Sequence, residues 1–279
     1  MLRKPIGVFD SGIGGLTVVK ELFTTVPFEP IVYFGDTARV PYGGKSVETV
    51  QRYAREDTEL LLSYGVKMIV IACNTVSATA LEEVERTAHG IPVIGMIGPA
   101  AEEAVRVTKN GRIGIAGTEA TIASGAYEHA IAEEGKKQGK SCTTFTVACP
   151  LFVPLAEEGW TNHAATGLIA EEYLGALRES GVDTLILGCT HYPVLADVIQ
   201  KTIGTTVTLV NSGAIAAKRV AELSIKAHMP DTAHPIPDHT MLVSDVPRKF
   251  QQIGERFLGR PMPEVGLVTW KESWVVRRV

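Results

Sequence analysis

Eight short apolar runs, separated by amphipathic stretches, constrain the fold more than any other feature of this sequence. They fall at residues 6–9, 31–34, 68–71, 92–95, 112–115, 144–147, 184–187 and 206–210, and are rich in Ile, Val, Leu and Thr. Continuous runs of this length suit strands covered on both faces of a mainly parallel sheet. Between them, residues 16–23, 47–64, 78–88, 100–107, 122–134, 164–180 and 194–202 carry helical patterning. Alternation of this kind predicts an α/β protein of doubly wound layers.

A long-range echo divides the chain. Val70-Ile71-Ala72-Cys73-Asn74-Thr75 resembles Ile186-Leu187-Gly188-Cys189-Thr190-His191: an apolar strand, a small residue, a cysteine, then polar residues opening a helix. Asp10-Ser11-Gly12 and Gly117-Thr118-Glu119 form a weaker second pair. Together they predict two similar α/β domains facing each other across a cleft, residues 1–97 with a C-terminal return of 210–279, and residues 98–209. The return leaves one more helix, strand and helix to place in the tail. Three prolines between residues 229 and 237 predict a surface loop.

Composition narrows the function classes. Hydrophobic residues are 45% and charged residues 21% of the 279, enough for a sizeable core. A net charge of −4 lacks the basic excess of a nucleic-acid footprint, and 6% aromatics offer few stacking platforms. No apolar run approaches the roughly 20 residues that cross a bilayer. The N-terminal MLRKPIGVFDSG has no long apolar stretch and no small-residue cleavage site. The expectation is a cytoplasmic protein with no nucleic-acid or membrane partner. Its four cysteines, Cys73, Cys142, Cys149 and Cys189, include no C-x-x-C pair, so reduced thiols are expected rather than a zinc or disulfide framework. Cys142 lies in a Lys- and Gly-rich stretch and is expected at the solvent. Cys149, before Pro150, reads as structural or pocket-lining.

Four polar clusters follow strand ends, where ligands bind in open α/β sheets. Asp10-Ser11-Gly12-Ile13-Gly14-Gly15 lets backbone approach a ligand closely. It is neither G-x-G-x-x-G nor a P-loop, and a capped tight turn explains it equally well. Val40-Pro41-Tyr42-Gly43-Gly44-Lys45 reads as an irregular loop in which Tyr42 offers backbone or hydroxyl contacts. Cys73-Asn74-Thr75 places a thiol at a helix start, where the dipole favours thiolate. A single buried cysteine, however, is more often a small hydrophobe. In Gly188-Cys189-Thr190-His191-Tyr192-Pro193 an imidazole lies two residues from a thiol and can orient or protonate it. The doubling of cysteine at equivalent positions favours a functional pair. Glu157 and Glu158 near a helix end read as solvated carboxylates that can also reach the site.

Two thiols facing across a cleft suit two-base proton transfer: one removes a proton from a carbon, the other delivers one to the opposite face. Both need pKa values within reach of neutrality, and a free thiol near 8.5 needs only a modest downward shift. Asp10 is the expected partner of Cys73, and His191 of Cys189. An α-proton is far less acidic than a thiol, so the site must also stabilise a carbanion.

These motifs, in order from Ile6 to about Arg219, resemble the glutamate racemase family within the cofactor-independent aspartate/glutamate racemase superfamily. The resemblance implies interconversion of L- and D-glutamate for peptidoglycan, with no cofactor and no metal. It implies that Cys73 deprotonates the D-enantiomer and Cys189 the L-enantiomer, assisted by Asp10 and His191. It further implies substrate binding by Asp10, Ser11, Pro41, Tyr42, Gly43, Asn74, Thr75, Thr118, Thr121, Thr190 and His191. Glu157 matches an assisting carboxylate, with Glu158 the alternative register. His191 and the following Tyr192-Pro193 favour glutamate over aspartate. Family analogy allows a homodimer. Only nine residues precede Asp10, so the extension with which some members sense a cell-wall precursor is not expected. The rivals are another amino-acid racemase, a Cys189 hydrolase or transferase, a non-catalytic amino-acid binder, and a Cys/His metal site, for which no local ligand spacing fits.

Overall fold

The computed structural model describes residues 4–227, 238–245, 250–271 and 273–278. The loop expected at 229–237 lies outside them. The strands are β1 (Ile6–Asp10), β2 (Ile31–Gly35), β3 (Met68–Ile71), β4 (Val93–Ile94), β5 (Arg112–Gly117), β6 (Thr143–Ala148), β7 (Thr184–Gly188), β8 (Thr208–Asn211), β9 (Thr240–Val243), β10 (Val265–Lys271) and β11 (Ser273–Arg278). The helices are α1 (Leu16–Thr25), α2 (Val47–Ser63), α3 (Asn74–Thr79), α4 (Leu81–Thr87), α5 (Ile97–Val107), α6 (Glu119–Ala123), α7 (Ala126–Gln138), α8 (Phe152–Glu158), α9 (Ala164–Glu179), α10 (Ala196–Ile203), α11 (Ser212–Ala227) and α12 (Phe250–Leu258).

Two sheets result, as the alternation predicts. The larger has the order β11-β10-β9-β2-β1-β3-β4, the smaller β6-β5-β7-β8. Every pairing is parallel except the β10–β11 hairpin. Within the first sheet, β2-β1-β3-β4 repeats the arrangement β6-β5-β7-β8 of the second, so β1 corresponds to β5 and β3 to β7. The chain crosses to the second sheet through α5, which begins at Ile97, and leaves it through α11, which packs on α1.

Alternation along the buried strands separates the cores. Ile6 and Val8 of β1, and Met68 and Val70 of β3, join a large cluster that also takes Leu185 and Leu187 of β7. Phe9, Ile69 and Ile71 point the other way, into a cluster under α2. Ile113, Ile115 and Ile186 fill a third, against α5 and α7. The shared cluster sets the two sheets against each other, and their carboxyl ends meet.

Some local expectations are corrected. The helix expected over 122–134 is two, because Gly125 at φ 66 adopts the left-handed conformation between α6 and α7. The helix expected over 78–88 begins at Asn74 and breaks at Ala80, whose φ of −140 is not helical. Residues 192–195 form a 3₁₀ turn before α10, where Pro193 sits in the first turn. The tail carries two strands, β10 and β11, beyond those expected. Cys142 is half-buried, its sulfur facing Gly135 of α7, rather than solvated.

Candidate active site

Parallel strands end together, so the residues just past β1, β3, β5 and β7 converge. Asp10 is the last residue of β1, Cys73 caps α3 after β3, Thr118 caps α6 after β5, and Cys189 follows β7. Asp10, Cys73, Asn74, Thr75, Thr121, Cys189, Thr190 and His191 are all buried.

On one side, Asp10 Oδ2 accepts from the Gly12 amide at 3.0 Å, while the buried Oδ1 accepts from none of the described residues. Burial raises the Asp10 pKa, and the charge of His191 opposes the rise. Cys73 Sγ lies 3.7 Å from Ser11 Oγ. Burial and the neighbouring Asp10 push its thiol up to about 12, and the charge of Cys189 adds to the rise. The Val76 amide at the helix start lowers the Cys73 pKa, but burial and Asp10 outweigh it, so the expected net downward shift is not seen. Cys189 is nonetheless near enough for its charge to act on Cys73.

On the opposite side, Cys189 Sγ lies 3.8 Å from His191 Nδ1, and His191 Nε2 lies 3.0 Å from Glu157 Oε1. Burial disfavours the imidazolium, but Cys189 and Glu157 outweigh it and lift His191 to about 10. Glu157, not Glu158, therefore reaches the site. Phe257 of α12 meets the imidazole edge-on at 5.4 Å, and Arg256 Nη1 donates to the Glu157 carbonyl at 2.9 Å. These two braces lie in a tail segment that carries no motif.

Past the ends of β3 and β5, Thr75, Thr118 and Thr121 form a hydroxyl triangle at 3.0, 3.4 and 2.9 Å. Gly14 comes so near the second half that an added Cβ would lie 2.3 Å from Thr190 Oγ1. Thr17 Oγ1 donates to the Thr190 carbonyl at 2.8 Å. Gly43 likewise faces Thr118, at 3.1 Å from an ideal Cβ. The Tyr42 hydroxyl turns away from the cleft and binds Asp36 and Asp57, leaving the backbone to face it. Arg39 pairs with Asp36, Glu56 and Asp57, holding this loop from behind. Pro41 is exposed. Tyr127 and Ser212, absent from the sequence reading, hydrogen-bond Asn74. Cys149 is buried beside the Tyr192 hydroxyl, which donates to its carbonyl at 2.9 Å.

No described helix is long and apolar enough to cross a membrane. Residues 6–220 match the Asp/Glu/hydantoin racemase family. A glutamate racemase of Chlorobaculum tepidum is 52% identical over 268 residues, 95% of this chain and 96% of its own. Another, of Geobacter metallireducens, is 51% identical over 262 residues, 94% and 95% of the two chains. A crystal structure of glutamate racemase from Francisella tularensis in complex with D-glutamate matches with a TM-score of 0.88 at 38% identity, over 95% of this chain and 97% of that one. With paired thiols at equivalent strand ends and a family match across most of its length, this chain belongs to the Asp/Glu/hydantoin racemase family.

Proposed function

We propose that this protein is a glutamate racemase that moves the α-proton between two thiols without a cofactor. What supports the reading most is the placement of Cys73 and Cys189 at corresponding strand ends, close enough for the charge of one to act on the other. From D-glutamate, the Cys73 thiolate takes the α-proton, and the Cys189 thiol protonates the opposite face. The products are L-glutamate, a Cys73 thiol and a Cys189 thiolate, and the reverse reaction restores the start. A thiol held near 12 is a strong base once ionised, and the substrate ammonium supplies charge that favours its thiolate. Asp10 assists Cys73; His191, backed by Glu157, assists Cys189.

Ser11, Asn74, Thr75, Thr118, Thr121 and Thr190, with the backbone of the Pro41-Tyr42-Gly43 loop, hold the substrate carboxylates. Dry, fixed donors of this kind stabilise developing charge without reorganising. The segment up to about residue 97 with the C-terminal return, which begins after β8 rather than at the expected 210, and the segment between them act as the two domains. The D-glutamate feeds peptidoglycan synthesis in the cytoplasm.

The test is L-glutamate with purified, cofactor-free protein in deuterated water, followed by proton NMR and optical rotation. Loss of the α-proton signal with decay of rotation to zero is expected, and Cys73→Ser or Cys189→Ser nearly abolishes racemisation in a folded protein. No exchange from L-glutamate overturns the reading, as does full activity in either variant.

A further inference from the structure

Asn74, next to Cys73 and 2% exposed, sits in a hydrogen-bond chain whose terminal acceptor favours one direction. The chain ends on the Leu187 carbonyl, which can only accept. Ser212 Oγ donates to it at 3.1 Å, and so accepts from Asn74 Nδ2 at 3.4 Å. From the other end, the Tyr127 hydroxyl donates to Asn74 Oδ1 at 2.7 Å. Burial raises the Tyr127 pKa, a hydrogen bond with Ser212 opposes the rise and the charge of Cys189 adds to it, so this hydroxyl keeps its proton. Both ends therefore dictate the same orientation of the amide. Oδ1 is occupied, and the second Nδ2 proton is left to offer a ligand oxygen.

The chain also spans the two sheets. Leu187 lies in β7 of the second and Tyr127 in α7 after β5 of that sheet, while Asn74 opens α3 after β3 of the first. The Tyr127 ring packs on Gly188, where a Cβ would meet its Cε2 at 3.2 Å.

We propose that Tyr127, with Ser212, is a positioning residue that fixes the Asn74 amide as a donor toward a substrate carboxylate while tying the Cys73 loop to the strand before Cys189. The proposal rests on the racemase reading above. Without the Tyr127 hydroxyl, the amide is free to turn its oxygen toward the anion it should hold.

The test is steady-state kinetics of Tyr127→Phe with L- and D-glutamate. KM rises about fivefold to tenfold in both directions, the scale of one misdirected hydrogen bond, while kcat stays within about twofold. In an Asn74→Ala background, Tyr127→Phe adds nothing further. Ser212→Ala raises KM in the same sense and carries the test if Tyr127→Phe does not fold. An active wild type with unchanged KM in the folded variants overturns the proposal alone, as does a rise that persists in the Asn74→Ala background or a loss confined to kcat. A wild type that exchanges no α-proton overturns the racemase reading and this proposal with it.

Discussion

Glu157 Oε1 accepts a hydrogen bond from His191 Nε2 at 3.0 Å, and this contact turns Nδ1 of the same ring toward the Cys189 thiol. The carboxylate orients the imidazole and favours its charged form. Glu157→Gln keeps the shape and removes the charge. We expect kcat from L-glutamate to fall about tenfold, at the low end of what a proton-transfer group contributes, and kcat from D-glutamate to fall less. Polarimetry from each enantiomer checks this. Equal losses contradict the assignment of His191 to Cys189.

His191 is lifted from 6.5 to about 10 and Cys73 from 9.0 to about 12. In both windows the folded state binds more protons than the unfolded one, so stability falls as pH rises. The His191 contribution is fully present below 6.5 and is lost as pH climbs through about 10. That of Cys73 is lost between 9.0 and about 12. Urea midpoints are expected to decline from pH 7 to 10, and His191→Asn to flatten that decline. An unchanged slope in the variant refutes it.

Gly14 touches the opposite half so closely that a Cβ would lie 2.3 Å from Thr190 Oγ1 and 2.5 Å from His191 Cε1. Gly14→Ala must therefore push the imidazole aside. A fall of about 100-fold in kcat/KM is expected, since ångström-scale misplacement of a reacting group has that effect. Gly167→Ala is the control: nothing lies within 4 Å of its Cβ, and its helical position gains slightly from alanine.

Arg39 is the cation among Asp36, Glu56 and Asp57 behind the Tyr42 loop. Burial raises the Asp57 pKa, with the nearby Asp36 adding to it and Arg39 opposing it. Arg39→Ala strands these carboxylates and costs about 3 kcal/mol in urea unfolding. The deficit shrinks at acid pH, where the carboxylates take up protons. A deficit independent of pH would show that Arg39 acts by packing alone.

The strands were legible because burial on both faces leaves little room for polar residues, as in Met68-Ile69-Val70-Ile71. The thiol loops were legible because Cys73 and Cys189 stand at matching strand ends. β10 and β11 were not, since they extend the edge of the sheet beyond the doubly wound pattern. The break at Ala80 has neither glycine nor proline to mark it. Tyr127, Ser212, Arg256 and Phe257 act on the site through hydrogen bonds and ring packing from α7, α11 and α12, where local sequence carries no sign of what they will meet. The pKa of Cys73 depends on burial among residues distant in sequence, such as Phe9, Phe34 and Tyr42, and on the charge of Asp10, which its neighbours in sequence do not encode.

The matching order of β2-β1-β3-β4 and β6-β5-β7-β8 has a stereochemical corollary. Two copies of one fold set face to face are related by rotation, and rotation never turns a left hand into a right. A perfectly duplicated cleft would accept a chiral guest in two equivalent poses, and either sulfur would meet either enantiomer. Handedness must come from the mismatches: Asp10 stands where its counterpart strand offers Gly117, and His191 where the other offers Thr75. The duplication supplies two opposed bases, and the places where the copies diverged decide which mirror image each one serves.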